Sequence, residues 1–531
     1  MILLIIGLLI FSLFSYFAYL IFVKPYVRNK WYVKQYGKIC KPIYYPILGN
    51  IKFVRESFKK YGDSLQWIRE LLKNDNDVQF LIGYNNIHIV DAQLAKDITL
   101  NNLQNIRKDM GMQFGDLLFK QGIVFSEGEK WKKQRQILSH SFSFDVLKNR
   151  VSKINNIVKE MINKIQIEEG NLVIYNQSDL MNIKLKQYRK PTKIVTECTK
   201  ITAEVVLRSF FGERFSQQQH KGINLGIYLA QLLLSVFDQT RRLRMLIPSF
   251  FFPKFMSKIF ADEKYYEVQK NCIEFRQLIE KEVNLRIENY DQNKTQKDFL
   301  DILVDEYKLN YSKNDGKVEE YITKESIIHQ FIVFFFAGMD TTGNLTGIML
   351  YWVSKRKDIY EKLVQEIKSV FGQNKDPEIN DEQLKKLNYC HMFIQECLRY
   401  HCPAMLLFTR RAERDFYIGD NILVQKGMQV NISLHGVLRR EKYFQNPDEF
   451  IPERFSEENK KNINHLAFIP FSSGPKNCIG QHMALIEAKI ILVQFILNFD
   501  ITNNENVPLK MDSNSLYCPV NDELLFLKRK Q

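Results

Sequence analysis

Cysteine is scarce, with eight in 531 residues, and no two of them form a C-x-x-C pair. This excludes the common zinc spacings and suits a reducing compartment. No G-x-G-x-x-G and no phosphate-binding loop occurs in the chain, so it has neither a flavin nor a nicotinamide domain of its own. Internal repeats are absent, and composition does not shift abruptly after residue 50, which leaves one large domain. There is no long arginine block, so nucleic acid is not an expected partner despite a net charge of +15. That charge is spread along the chain and fits phospholipid headgroups or an acidic protein. What is present is ordinary: 45% hydrophobic and 25% charged residues exclude a mainly disordered chain and a multi-span transporter.

Charge is also missing from residues 1–23. As a helix this segment would be roughly 34 Å long, enough to cross a hydrocarbon core. It lacks the basic start and short apolar stretch of a signal peptide, so it reads as a single transmembrane anchor. Lys24, Arg28, Lys30, Lys34, Lys38 and Lys41 follow at once. The positive-inside rule then puts the rest of the chain in the cytosol. The sequons at Asn176, Asn293, Asn310, Asn344 and Asn431 are expected to stay unglycosylated. Residues 24–50 read as a basic tether stiffened by Pro42 and Pro46, and 51–531 as the catalytic domain.

Helical patterns dominate this domain and strand patterns are short, so the fold class is mainly α with minor β. Residues 168–192 and 308–323 read as polar loops, and 416–424 as a hairpin. A long helix is expected over 324–356. Asp340 in its apolar centre costs roughly 2.5–3.5 kcal/mol in a membrane, which favours a buried core helix over a second span. Ala337 and Thr341 share one face, and with Gly338 that face is small enough for a bulky group to lie against it. A second helix is expected over 381–400, carrying Glu396 and Arg399 three residues apart and His391 as a core histidine.

Near the C-terminus, Phe471-Ser472-Ser473-Gly474-Pro475-Lys476-Asn477-Cys478-Ile479-Gly480 leads into a helix from about Gln481 to Leu497. Cys478 stands just before a helix N-terminus, where the dipole lowers a thiol pKa, and Lys476 adds positive charge. Gly474 and Gly480 would let a flat group approach the backbone. These features suit a metal-ligating thiolate; a buried structural cysteine is the alternative for any lone Cys.

The segment resembles the haem-binding signature of the cytochrome P-450 family, F-x-x-G-x-[RK]-x-C-x-G, at each specified position. Four further motifs stand in the family's order. Trp131 and Arg135 resemble W-x-x-x-R, and Ala337-Gly338-Met339-Asp340-Thr341-Thr342 resembles A-G-x-[DE]-T-[TS]. Glu396 and Arg399 resemble E-x-x-R, and Pro452-Glu453-Arg454-Phe455 resembles P-E-R-F. The resemblance implies a helical triangular prism around haem b, behind the N-terminal span. It assigns Cys478 as axial thiolate and metal ligand, and Trp131, Arg135, Arg410 and Lys476 to the haem propionates. Phe471, Gly474, Gly480 and Ala337 fall at cofactor-lining positions. Glu396, Arg399 and Arg454 fall on a buried structural network, and Asp340 and Thr341 on the acid–alcohol pair that delivers protons. One departure is visible: Cys402-Pro403 stands where the family often has two prolines, ahead of a substrate-lining segment at Met405, Leu406 and Leu407.

The implied activity is a monooxygenase acting on an apolar substrate with O2. Its electrons would come from a separate NADPH–cytochrome reductase, at the endoplasmic reticulum membrane. A non-oxygenating isomerase or dehydratase and a haem-binding sensor are the alternatives. At residues 247–255, where Phe250, Phe251 and Phe252 are consecutive, a second membrane contact is one expectation and phenylalanines that cap the core are the alternative.

Overall fold

The Thr323 hydroxyl accepts the Ser326 N–H at 3.1 Å, and Glu325 lies in the first turn, so the core helix starts at Lys324 and runs to Lys355. In this computed structural model, residues 2–43, 50–109, 115–167, 169–174, 184–189, 191–246, 261–294, 297–374, 376–405, 409–513 and 516–530 are described. Among them, Lys324–Lys355 is the one helix long and apolar enough to cross a membrane, yet 78% of its apolar window is buried inside the protein. It is a core helix, as Asp340 requires. Helix Ile194–Phe210 packs closely along it. A Cβ at Gly338 would stand 2.8 Å from Val206 Cγ2, at Gly343 2.8 Å from Thr199 Cα, and at Gly347 2.8 Å from Val195 Cγ2. Gly338 therefore serves the contact between two helices, and does not belong to the small face expected with Ala337 and Thr341.

Buried side chains form two clusters. The larger surrounds the core helix, and the second lies on a six-stranded sheet. The strand order is Cys40–Pro42, Phe80–Ile82, Asn86–Ile89, Gln429–Ile432, Arg410–Ala412, Ile106–Lys108. Ile348 carries the core helix into the sheet cluster. The architecture is mostly helical with a minor sheet, as expected. The hairpin forms as read, with Phe416 opposite Val424 and Ile418 opposite Ile422. The C-terminal helix spans Gln481–Asn498.

Four expectations change. Residues 381–400 form two helices, Asp381–Lys386 and Asn388–His401, separated at Leu387. The Glu366 carboxylate accepts from Tyr389 N at 2.6 Å and Cys390 N at 2.8 Å, satisfying the new helix's first donors. The polar stretch 308–323 begins inside helix Phe299–Lys313, which a reciprocal Asp298–Asp301 capping box starts. The stretch 168–192 contains an antiparallel ladder, Glu169–Ile174 against Lys184–Arg189. Residues 24–36 are helix rather than tether: Ile2–Ala18, a π-helical turn Tyr19–Val23, and Lys24–Tyr36 follow without a break. Pro25 sits in the first turn of the last piece, where its missing N–H costs nothing. Because Cys40–Pro42 pairs with Phe80–Ile82, the folded body also reaches back past residue 50.

Asn310, Asn344 and Asn431 are buried, which closes three of the five sequons in the folded chain. Asn176, Pro46, Leu406, Leu407 and residues 247–255 lie outside the described residues.

Candidate functional site

The Cys478 loop is a closed turn. Cys478 N donates to Phe471 O at 2.9 Å, Ser472 N to Ile469 O at 2.9 Å, and Asn477 N to Gly474 O at 3.1 Å. Ser472 and Gly474 both have positive φ, +63° and +75°. A Cβ at Gly474 would stand 2.3 Å from Thr99 O, and Ser473 Oγ bonds Thr99 Oγ1 at 2.7 Å. Gly474 is thus required by the segment packed behind the loop as well as by its own backbone conformation. At Gly480 the nearest such contact is Phe142 Cε1 at 3.9 Å, so that side of the loop stays open. Gly480 is the N-cap of Gln481–Asn498, which places Cys478 two residues before it.

The thiol has an unusual setting. Its surface is exposed, yet burial by surrounding protein pushes its pKa up. A group that is both accessible and desolvated faces an internal cleft rather than the outer surface. The Gly480 N–H and the Arg135 charge pull the thiol pKa the other way. Lys476, expected to help, is turned toward Glu127.

The core helix is open over one short stretch. Its residues from Ser326 to Phe335 and from Thr342 to Leu350 are buried, whereas Ala337 is exposed and Phe336, Gly338 and Thr341 are half-buried. Ala337 and Thr341 lie one turn apart, and Thr341 Oγ1 donates to Ala337 O at 2.7 Å. Asp340 faces the other way and is buried. Asn344 Nδ2 donates to its carboxylate at 3.0 Å and to its backbone oxygen at 2.8 Å. Burial raises the Asp340 pKa to about 6, and the Asn344 bond offsets only part of that.

Beside the loop, positive groups converge. Arg410 is buried in its strand directly opposite Lys108 in an antiparallel pair, which puts both side chains on one face. Arg411 faces the other side and pairs with Asp109. Arg135 grips Asn477 through O and Oδ1, both at 2.8 Å. Lys476 lies 5.4 Å above the half-buried Trp131 ring and pairs with Glu127, whose other oxygen accepts Lys108 N at 2.9 Å. Burial lowers all four cations. Arg410 falls to about 10 and Lys476 to about 8, Arg135 is lowered, and Lys108 is driven well down. After burial, the charges of Lys476, Arg410 and Arg135 depress Lys108 further. Within this group Lys476 forms an ion pair with Glu127.

Sequence reasoning missed Lys108 and Glu127. The strand that carries Lys108 is three residues long and has no pattern of its own. Behind the loop, Arg399 and Glu396 are both fully buried. All five Arg399 donors are used: two on Glu396 (2.7 and 2.8 Å) and three on the carbonyls of Leu438, Pro447 and Glu449 (2.9–3.1 Å). Arg454 Nε adds a 3.5 Å contact to Glu396, so the three residues expected together do meet. His391 is half-buried, and burial pulls its pKa down to about 4.

The model of the cytochrome P450 family matches residues 41–526. Similar curated proteins include cytochrome P450 4V2 of Mus musculus, 26% identical over 92% of this chain and 88% of its own length. Cytochrome P450 4c21 of Blattella germanica is 24% identical over 95% and 96%, and cytochrome P450 3A13 of Mus musculus 27% identical over 78% and 76%. The family's members bind haem b, and an accessible but desolvated thiol, an open stretch of the core helix and a cluster of buried basic side chains fit such a group. With the family match running from the first strand of the sheet almost to the C-terminus, the chain belongs to the cytochrome P450 family and is a haem-thiolate monooxygenase.

Proposed function

We propose that this monooxygenase inserts one atom of O2 into an apolar organic substrate while anchored in the endoplasmic reticulum membrane. A separate NADPH–cytochrome reductase supplies the electrons. The balance is R–H + O2 + NADPH + H⁺ → R–OH + H2O + NADP⁺. The observation that supports this most is the convergence of Lys108, Arg135, Arg410 and Lys476, with Arg135 acting on Cys478; the open stretch of the core helix at Ala337 and Thr341 adds to it.

Cys478 would ligate the iron. Haem supplies the O2-reducing chemistry, and a proximal thiolate donates electron density that favours O–O cleavage. Trp131, Arg135, Arg410, Lys476 and Lys108 would hold the two propionates, whose negative charge matches this basic cluster. Phe471 and Gly474 shape the loop, and Gly480 and Ala337 leave room for the flat group. Thr341, on the open face, organises water. Asp340, with a pKa of about 6, takes up and releases a proton near neutral pH, the range in which a general acid works best. That pair does not favour a non-oxygenating isomerase or a haem sensor.

The uncharged helix from Ile2 through Val23 supports the single span, and the cations from Lys24 onward support a cytosolic catalytic domain. The test is NADPH consumption with added reductase, with and without O2, alongside a lipid screen for a spin-state shift of the haem. Consumption that needs both reductase and O2, and rises with a shifting lipid, is expected. Rearrangement of a hydroperoxide without either would favour the isomerase. No consumption with any lipid would favour the sensor.

A further inference from the structure

The junction between the apolar N-terminal helix and the sheet has no flexible joint. Ala18, Val23 and Lys24 all have right-handed helical backbone angles, so Ile2 to Tyr36 is one uninterrupted rod. The rod contains a π-helical turn, Tyr19–Val23, in which Lys24 N reaches back to Tyr19 O. Such a turn leaves a carbonyl in need of a donor. The Tyr84 hydroxyl, from the turn at residues 83–86 between two sheet strands, donates to Leu20 O at 2.5 Å.

Further along the same face, Arg28 Nη1 donates to Asn85 Oδ1 at 2.8 Å. Tyr32 is fully buried and donates to Leu423 O at 2.7 Å. The Tyr36 hydroxyl accepts Leu423 N at 2.8 Å, and both rings pack on Phe80. The rod ends at Gly37, and three residues later the chain enters the sheet at Cys40.

We propose that this rod is a rigid strut that seats the catalytic domain directly on a phospholipid bilayer at one fixed tilt, with the turn at residues 83–86 in the headgroup layer. The inference rests on reading residues 2–23 as the membrane span. Leu20 lies three residues, about 4.5 Å, before the end of that span. The domain group bonded to it is therefore at the hydrocarbon–headgroup boundary, the level where tyrosine is favoured. Four residues past Val23, about 6 Å at 1.5 Å each, cross the remaining headgroup layer. The outward residues there are Lys24, Tyr26 and Val27, all exposed, and Lys30 one turn on lies over the Tyr26 ring at 4.7 Å. Interleaved aromatic and basic side chains match an anionic headgroup surface.

The test uses the full-length, haem-loaded chain in nanodiscs of phosphatidylcholine and phosphatidylserine, with Cys518 replaced by Ser. Nitroxides are placed at Ser12 in the apolar helix and at Tyr417, an exposed residue in the first strand of the hairpin that meets Tyr36. Ser12 and Tyr36 are about 36 Å apart along a straight helix, a span that dipolar spectroscopy resolves. Between the two labels a single narrow distance distribution is expected. Arg28→Ala with Tyr32→Phe keeps the buried ring but removes two clamps. It should lose the narrow peak while keeping the reduced carbon-monoxide spectrum, and Tyr84→Phe should do so in part. A broad distribution in the unmodified chain, or a peak that stays narrow in the clamp variants, overturns the strut while leaving the anchor in place. A chain that never enters the nanodisc overturns the membrane reading and the strut with it.

Discussion

Replacing Arg399 by Ala should prevent the protein from accumulating in a haem-loaded form, although Arg399 touches neither the Cys478 loop hydrogen bonds nor the open face of the core helix. The side chain is fully buried and uses every donor it has. Its removal leaves the Glu396 carboxylate with Ile451 N at 2.8 Å and the 3.5 Å Arg454 contact, and takes an Arg399 donor from three carbonyls, of which that of Glu449 keeps Arg454 Nη2 at 3.3 Å. Breaking a buried pair by deleting one partner costs about 3–5 kcal/mol, and a carbonyl left without a donor about 1–3 kcal/mol more. Against a total stability of about 5–15 kcal/mol, that removes most of the margin. Arg399→Lys keeps the charge but loses the five-donor fork, so it should fall between Ala and the native chain. Removing both charges, Glu396→Leu with Arg399→Met, should be less damaging than Arg399→Ala, because no buried charge is left alone. Haem-to-protein ratio and thermal denaturation measure all three. An Arg399→Ala protein that purifies fully haem-loaded, with an unchanged melting temperature and only slow turnover, would refute the structural role.

Three further outcomes follow from the site. Thr341→Ala should keep haem content and the carbon-monoxide spectrum but divert NADPH electrons to peroxide, with product formation falling by about 10²–10⁴-fold; an unchanged product-to-NADPH ratio contradicts this. The raised Asp340 pKa means the folded chain holds a proton that the unfolded chain releases, so stability declines as pH rises from about 4 to about 6. Asp340→Asn should remove a slope worth roughly 3 kcal/mol across that window, read from denaturant midpoints, and an identical pH profile in the variant would count against the assignment. Gly474→Ala places a methyl group 2.3 Å from Thr99 O at φ +75°, and should lower haem occupancy more than Gly480→Ala, where the space is open; equal occupancy in the two would show that the loop tolerates the strain.

The parts legible in the sequence were those whose chemistry is local. The Cys478 loop, its closing glycines and the helix after it occupy consecutive residues. The core helix carries its own cap at Thr323, and Asp340 already argued against a lipid environment. The break at Leu387 was not legible, because the donors it frees are satisfied by Glu366, on another helix. Lys108 was missed for a similar reason: only the strand pairing brings it opposite Arg410. Gly338 was misread because a small residue in a helix marks a close approach without saying to what, and here the neighbour is Val206. The segment after the anchor looked like a tether because lysines and prolines dominate it. Its docking residues, Arg28, Tyr32 and Tyr36, bond groups far along the chain.

The account's central claim is that the Cys478 sulfur holds the iron, in a cleft where burial, the Gly480 N–H and Arg135 together set its charge. The most direct measurement is the absorption spectrum of the reduced carbon-monoxide complex of Cys478→Ser and Cys478→Ala, each compared with a conservative change at the half-buried Cys518, Cys518→Ser. Both Cys478 variants should lose the thiolate-type band while Cys518→Ser keeps it. A thiolate-type band that survives either Cys478 substitution would contradict the assignment, and with it the placement of the site.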